Sequence, residues 1–382
     1  MDLAEIRIKL DEIDKQIENL FEERMRLCGE VAEFKIRTGK PVYDAKREQE
    51  KIEALTGMAE GDFNKQAVGE LFLQMMTLSR RYQYQTMAGR IGLTELGFQK
   101  VSELDTAGRR VAFQGLAGAY GHAAAIQYFG KDADIHHVRR FEDLMIELQE
   151  DKADFGVLPI ENSSAGFVTD NYDLLLRYDN YIVAETFVPV KHFLLGTKDS
   201  TLDDIRRVYA HPQALLQSSE FLNKRAGWQQ ISMENNAVAA KKVRDENDRT
   251  QAAVASEIAG EIYDLKPLAE AINNSRDNTT RFLILSRKPV YREGAEKISI
   301  CFELPHKSGS LYNMLGNFIF NHVNMRMIES RPVPGRSWEY RFFVDIEGNL
   351  ENPGVINALY GISREAQNMR ICLLYTSDAA DE

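Results

Sequence analysis

One arginine interrupts an otherwise apolar heptad. Leu3, Leu10, Ile17, Arg24 and Val31 recur every seventh residue, and the companion positions Ile6, Ile13, Leu20, Leu27 and Phe34 are all apolar. With no proline and no glycine before Gly29, the spacing predicts one long helix with an a/d seam. Such a stripe must be buried against other helices. A guanidinium set in it needs an acidic partner or a bound anion, because burying an unpaired charge costs several kcal/mol. Arg7 and Lys35 flank the same seam. Three cations around one buried stripe suggest a pocket for a small polyanion; the other reading is a buried arginine that fixes register in a coiled-coil dimer. A second helical pattern adds Asp44, Arg47 and Glu48, and a third adds Ser79 and Gln83, four apart on one face.

A second set of chemical residues lies further along. Gln114-Gly115-Leu116-Ala117-Gly118-Ala119-Tyr120 follows a strand pattern and precedes a helix, so backbone N–H groups are exposed at a helix start, where anions bind. The spacing is not GxGxxG, and no nucleotide cofactor is indicated. Leu158-Pro159-Ile160-Glu161-Asn162-Ser163-Ser164-Ala165-Gly166-Phe167-Val168 comes next, then His211-Pro212-Gln213-Ala214 and Asn278-Thr279-Thr280-Arg281-Phe282.

The elements that must position these residues fall into three blocks. Residues 1–88 read as all-helical, with turns at Gly39-Lys40-Pro41 and after Gly57. Residues 89–108 have no period and read as a linker. From 109 to 287, short apolar strands such as Val111-Ala112-Phe113, Phe155-Gly156-Val157-Leu158 and Phe282-Leu283-Ile284-Leu285 alternate with helical stretches, the mark of an α/β domain with largely parallel sheets. A second linker, 288–296, leads to strand, helix, strand, strand, helix over 297–372, a ferredoxin-like α+β order that lacks its last strand. The tail, 373–382, is polar and atypical.

Bulk properties narrow the function. A chain of 382 residues exceeds a single core. A net charge of -11 argues against nucleic acid or an anionic membrane as partner. Cys28, Cys301 and Cys372 are far apart and form neither a disulfide framework nor a zinc site. The chain shows no secretory or membrane-spanning run, and a cytoplasmic location is expected.

The order Arg7, Arg24, Lys35, Asp44, Arg47, Glu48, Ser79, Gln83 resembles the all-helical chorismate mutases over residues 1–88. That resemblance implies an intertwined homodimer in which Arg7 reaches the partner's pocket. It also implies Arg7, Arg24 and Arg47 on substrate carboxylates, Lys35 and Gln83 at the ether oxygen, Glu48 at the ring hydroxyl, and Asp44 and Ser79 as further binding groups.

Residues 109–287 resemble prephenate dehydratase, a two-lobed fold with its active site in the cleft. The likeness implies Thr280 as proton donor to the departing hydroxyl, with Glu161, if protonated, as the alternative general acid. Arg281 and the amides near Gly118 would take carboxylates, and Asn162, Ser163 and Gln213 would orient prephenate. At position 121, where the family usually has serine, this chain has Gly121 followed by His122.

Gly309-Ser310-Leu311 and Ile328-Glu329-Ser330-Arg331-Pro332 resemble the ACT domain of those dehydratases. The implied ligand is free L-phenylalanine, its carboxylate on helix-start amides and its ammonium on Glu329 or a carbonyl, with Ser330 and Arg331 beside it. Taken together the resemblance implies a bifunctional enzyme of phenylalanine biosynthesis under feedback inhibition, a homodimer or higher homo-oligomer, with no metal and no organic cofactor. Two rivals stand beside it: a mutase whose α/β domain only senses an aromatic ligand, and a helical dimerisation handle on a regulatory protein. A prephenate dehydrogenase is disfavoured for want of a dinucleotide fingerprint.

Overall fold

The computed structural model describes residues 2–88, 98–333, 335–336 and 338–375, without the side chains of 88 and 373–375. The chain divides into two compact units. One takes the N-terminal helices together with residues 298–371, the other residues 98–297.

Helix α1 (Leu3–Thr38) starts at a capping box, in which Asp2 accepts from the Glu5 N–H at 2.8 Å and Glu5 accepts from the Asp2 N–H at 3.1 Å. It ends at Gly39, whose φ of 68° suits a residue without a side chain. Helices α2 (Ala45–Met58) and α3 (Asp62–Ala88) follow, and α3 packs against both. The heptad forms, but its stripe lies open on the single chain: Leu3 is 63% exposed, Ile17 56% and Leu20 66%. Hydrophobic burial within one chain therefore does not account for this helix.

The 98–297 unit opens with β1 (Gln99–Val101), within the stretch expected to be linker. Its first lobe runs β2 (Arg110–Gln114), α4 (Tyr120–Phe129), β3 (Asp134–Val138), α5 (Phe141–Gln149), β4 (Phe155–Asn162), β5 (Gly166–Phe167), α6 (Thr169–Arg177) and β6 (Tyr181–Pro189). The second lobe holds β7 (Phe193–Gly196), β8 (Arg207–Ala210), α7 (Pro212–Gln217), α8 (Ser219–Leu222), β9 (Gln229–Ser232), α9 (Asn236–Glu246), β10 (Gln251–Ala255), α10 (Glu257–Ile262) and β11 (Lys266–Ala269). Strand β12 (Thr279–Ser286) then returns to the first lobe, and β13 (Val290–Arg292) pairs with β1. Both former linkers thus carry a strand, each too short to show a period.

The sheets are mixed rather than largely parallel. The first lobe has the order β6-β12-β4-β2-β3, with β2 parallel to β3 and β4 but β12 antiparallel to both neighbours. The second lobe has the order β11-β7-β10-β8-β9, with β7 antiparallel to β10 and β11. The returning strands cause this, since a chain that crosses between lobes and comes back inserts against the direction of the βαβ repeats. Val111, Phe113, Val157 and Ile284 fill the first core, and Leu194, Val208, Ala252 and Val254 part of the second.

The remaining elements are β14 (Lys297–Leu304), α11 (Ser310–Phe320), β15 (Met325–Pro332), β16 (Tyr340–Glu347), α12 (Pro353–Glu365) and β17 (Gln367–Tyr375). In the first unit the strands lie in the order β15-β16-β14-β17, and α12 packs on α11 and on α3. The last strand, expected to be missing, is present. It begins two residues after α12 ends, so no turn segment announced it, and it includes the buried Ile371 and Cys372. Residues 376–382 of the atypical tail, and 89–97 of the first linker, lie outside the described residues.

Candidate active sites

Helices α1, α2 and α3 enclose a cavity of about 570 Å3. Seven of the eight polar residues singled out from the spacing line it: Arg24, Lys35, Asp44, Arg47, Glu48, Ser79 and Gln83. Helical geometry explains the convergence. Arg24 and Lys35 are three turns apart on one face, and Ser79 and Gln83 one turn apart. Asp44 caps α2 by accepting from the Arg47 N–H at 3.1 Å, which fixes where Arg47 and Glu48 begin. Arg7 does not line the cavity. It sits 17 residues before Arg24 on α1, about 25 Å along the axis.

The cavity is held in place by its own hydrogen bonds. Arg24 donates through Nη1 to the Met75 carbonyl at 3.1 Å and to Ser79 Oγ. Lys35 Nζ donates to the Val42 carbonyl at 2.8 Å. Burial pushes the Lys35 ammonium below its ordinary pKa, against the opposing pull of Glu48 and Asp44. Gln83 Nε2 donates to the Ser79 carbonyl at 3.2 Å, while its Oε1 is buried with no hydrogen-bond partner. That oxygen is an acceptor, so a ligand hydroxyl would satisfy it, while the second Nε2 hydrogen is the one a ligand oxygen would take. The spacing missed Arg80, which lines the same cavity at 6% exposure and pairs with Glu48. Arg80-Arg81 reads as two surface cations, and nothing in the pattern marks which is buried.

Between the two lobes of the second unit lies a smaller cavity of about 280 Å3, lined among others by Gly118, Asn162, Gln213 and Thr280. The starts of α4, α7 and α9, with the cap of α10, contribute Tyr120, Gln213, Asn236 and Ser256 to its wall, an arrangement that favours negative charge. Thr280 Oγ1 accepts from Asn162 Nδ2 at 2.9 Å, so its own hydrogen can be donated elsewhere. Asn162 spends its other bonds on Asn278 and on the 164–165 turn. It thereby places Thr280 and also lines the cavity. Ser163 accepts from the Thr279 N–H at 3.0 Å and donates to the Asp277 carbonyl at 2.9 Å, which pins that loop.

Two of the residues expected at this site lie outside it. Arg281 and Glu161 do not line this cavity. On β12 successive side chains face opposite sides, and Thr280 takes the cleft side. Arg281 donates to the buried Glu185 at 2.5 Å and lies 3.8 Å from Glu161. Glu161 is 38% exposed at its side chain and lies beside that cation, outside the cleft lining. Gly118 does line the cavity, but its N–H donates to His122 Nδ1 at 3.1 Å, so His122 takes up an amide counted as a ligand donor.

The residue pattern also missed His192. It is 1% exposed, 3.1 Å from Tyr120 Oη and 2.9 Å from Gln217 Oε1, and burial holds its pKa down. A lone histidine beside an apolar strand carries no sequence mark of this role.

Of the residues expected to hold an effector, Gly309, Ser310 and Leu311 open α11, with Gly309 at φ 79°. Glu329, Ser330 and Arg331 lie on β15, the edge strand of the first unit's sheet. No helix among the described residues is long and apolar enough to cross a membrane.

Comparison with known proteins matches the segments that carry both cavities to families. The chorismate mutase type II model matches residues 6–84, and the prephenate dehydratase model residues 111–290. The bifunctional chorismate mutase/prephenate dehydratase of Aquifex aeolicus (strain VF5) is 31% identical over 370 residues, covering 97% of this chain and 96% of that protein. Its counterpart in Escherichia coli (strain K12) is 30% identical over 381 residues, covering 98% and 96%. Among solved structures, GqqA, described as a novel type of quorum quenching acylase, is 31% identical with a TM-score of 0.67, covering 72% of this chain and 100% of that one. The prephenate dehydratase from Arthrobacter aurescens in complex with L-Phe is 27% identical with a TM-score of 0.65, covering 70% and 89%. With both family models present in order and full-length relatives matched almost end to end, this chain belongs to the bifunctional chorismate mutase/prephenate dehydratase family.

Proposed function

We propose that the chain converts chorismate to prephenate in the helical cavity and prephenate to phenylpyruvate in the α/β cleft, under feedback control by L-phenylalanine. The observation that carries the first step is the meeting of seven expected polar residues in one cavity. The rearrangement is pericyclic and needs no nucleophile and no proton transfer. The cavity's part is to confine the reactive conformer and to place positive charge where the C–O bond lengthens. Arg24 and Arg47 take carboxylates by their fork geometry, Lys35 and Gln83 address the ether oxygen, and Glu48 accepts from the ring hydroxyl. Arg7, too far from its own cavity, serves that of a second copy. The uncovered α1 stripe supports the same homodimer.

In the cleft, prephenate loses its ring carboxylate as CO2 while the ring hydroxyl leaves as water with a donated proton. Thr280 is the proton donor, with its acceptor side held by Asn162. Helix starts, rather than Arg281, face the substrate carboxylates. Residues 297–375 act as an ACT regulatory domain whose L-phenylalanine site uses Gly309–Leu311 and Glu329–Arg331 and is completed at an interface between copies. The mutase and dehydratase domains correspond to residues 1–88 and 109–287, and the protein works in the cytoplasm without metal or organic cofactor.

The test is to supply chorismate and, separately, prephenate to the purified chain, and to follow prephenate and phenylpyruvate with and without L-phenylalanine. Both conversions, with flux falling as phenylalanine rises, are the expected outcome. Prephenate that accumulates without being consumed above its spontaneous rate would leave the α/β domain as a sensor only.

A further inference from the structure

We infer that Arg80 is a positioning residue for the mutase reaction, holding the Glu48 carboxylate in place, and that Glu365 on α12, from the far end of the chain, anchors Arg80. The inference rests on the helical cavity being the mutase site.

Each part of the Arg80 side chain is engaged. Nη1 pairs with Glu48 Oε2, and Nε donates to Glu365 Oε1 at 3.0 Å. Nη2 donates to Thr77 Oγ1 at 3.2 Å, and the guanidinium carbon stands 5.0 Å from the centre of the Tyr43 ring. The side chains of Arg80, Glu48 and Glu365 are 7%, 19% and 13% exposed, so water screens this array little. A guanidinium fixed at so many points has no second rotamer to offer, and it transmits that fixity to Glu48. Glu48 sits among Lys35, Arg47 and Arg24 in the cavity wall. Without Arg80 its carboxylate would turn toward Lys35, whose charge is wanted for the substrate. Lysine could not replace Arg80, because one ammonium cannot serve two carboxylates from fixed fork positions.

Glu365 is the last residue of α12, and α12 packs on α3 beside this array. Near it Tyr84 and Tyr360 meet edge to face at 5.8 Å, so the contact has apolar as well as ionic content. A residue 285 positions from Arg80 therefore shapes the cavity in which chorismate reacts.

The experiment uses the full-length chain and the variants Arg80→Met, Glu365→Gln and the pair combined. Mutase kcat and KM for chorismate are measured, with the dehydratase rate on supplied prephenate as a check that each variant is folded. Arg80→Met is expected to lower mutase kcat/KM by 10- to 100-fold, with KM rising as well as kcat falling, and to leave the dehydratase rate within twofold. Glu365→Gln is expected to lower kcat/KM by about threefold to tenfold, and the double variant to be no worse than Arg80→Met, as two residues on one path require. Wild-type mutase kinetics in Glu365→Gln, strictly additive effects in the pair, or a fall in kcat at unchanged KM in both single variants would overturn the inference. If Arg80→Met does not fold, Glu365→Gln, which keeps the guanidinium, decides alone. A wild-type chain that does not turn over chorismate would instead overturn the assignment of the cavity.

Discussion

Thr280 and Arg281 are neighbours on β12 yet face opposite sides of their sheet. Thr280 meets Asn162 at 2.9 Å in the cleft, whereas Arg281 is bound to the buried Glu185 at 2.5 Å. The two residues should therefore fail differently when changed. With Thr280 as the proposed proton donor, Thr280→Val is expected to lower dehydratase kcat by about 100- to 1000-fold, and Thr280→Ser to keep most activity. Steady-state assays on prephenate check both, with mutase activity as the internal standard.

Arg281→Met should act on stability first. It leaves Glu185, 2% exposed, with one cation fewer, Lys297 remaining at 3.5 Å. Breaking a buried pair from one side costs about 3–5 kcal/mol. Denaturant unfolding followed through the α/β unit should register that loss, and the KM for prephenate at permissive temperature should change less than threefold.

Lys35 gives the mutase an alkaline limit. In the proposed role its ammonium is wanted charged at the ether oxygen, and burial has lowered its pKa from 10.5. Activity should fall as pH rises through that lowered value, and Lys35→Arg, with the activity it retains, should move the limb upward. Lys35→Ala should lower kcat/KM by about 100-fold, roughly 3 kcal/mol of transition-state stabilisation. A pH–rate profile of chorismate turnover checks the limb and its shift.

His192 ties stability to pH in the other unit. Its folded pKa lies below the ordinary 6.5, chiefly through burial. The unfolded chain then binds the proton more readily, so the contribution is fully present above about 6.5 and is lost as pH falls toward the folded value. Thermal unfolding of the α/β unit should weaken across that window, and His192→Gln should flatten the dependence while keeping the neighbouring Gln217 in hydrogen-bond reach.

The uncovered α1 stripe predicts the fate of the mutase on dilution. If the proposed homodimer forms through this stripe, Leu20→Glu, at a position 66% exposed in the single chain, should dissociate it and remove mutase activity, since Arg7 would no longer reach a second copy's cavity. Dehydratase activity should persist. Sedimentation velocity alongside both assays tests the link.

Helical spacing placed Arg24 with Lys35 on one face and Ser79 with Gln83 on another, because residues one or three turns apart share a face whatever lies around them, and the family resemblance gathered them with Glu48 into one site. Short apolar runs in the sequence marked β2, β4, β6, β8, β10 and β12, but not β3, β5, β7, β9 or β11. Nor did the sequence reveal β1, β13 or β17, which are too short or too close to a helix end to show a period. Which of Arg80 and Arg81 is buried beside Glu48, which side of β12 faces the cleft, and that His122 takes the Gly118 amide were settled by tertiary structure alone. The reason is physical. Periodicity fixes which residues share a face, but which face is covered, and by what, depends on contacts such as Arg80 with Glu365 that bring together residues 285 positions apart.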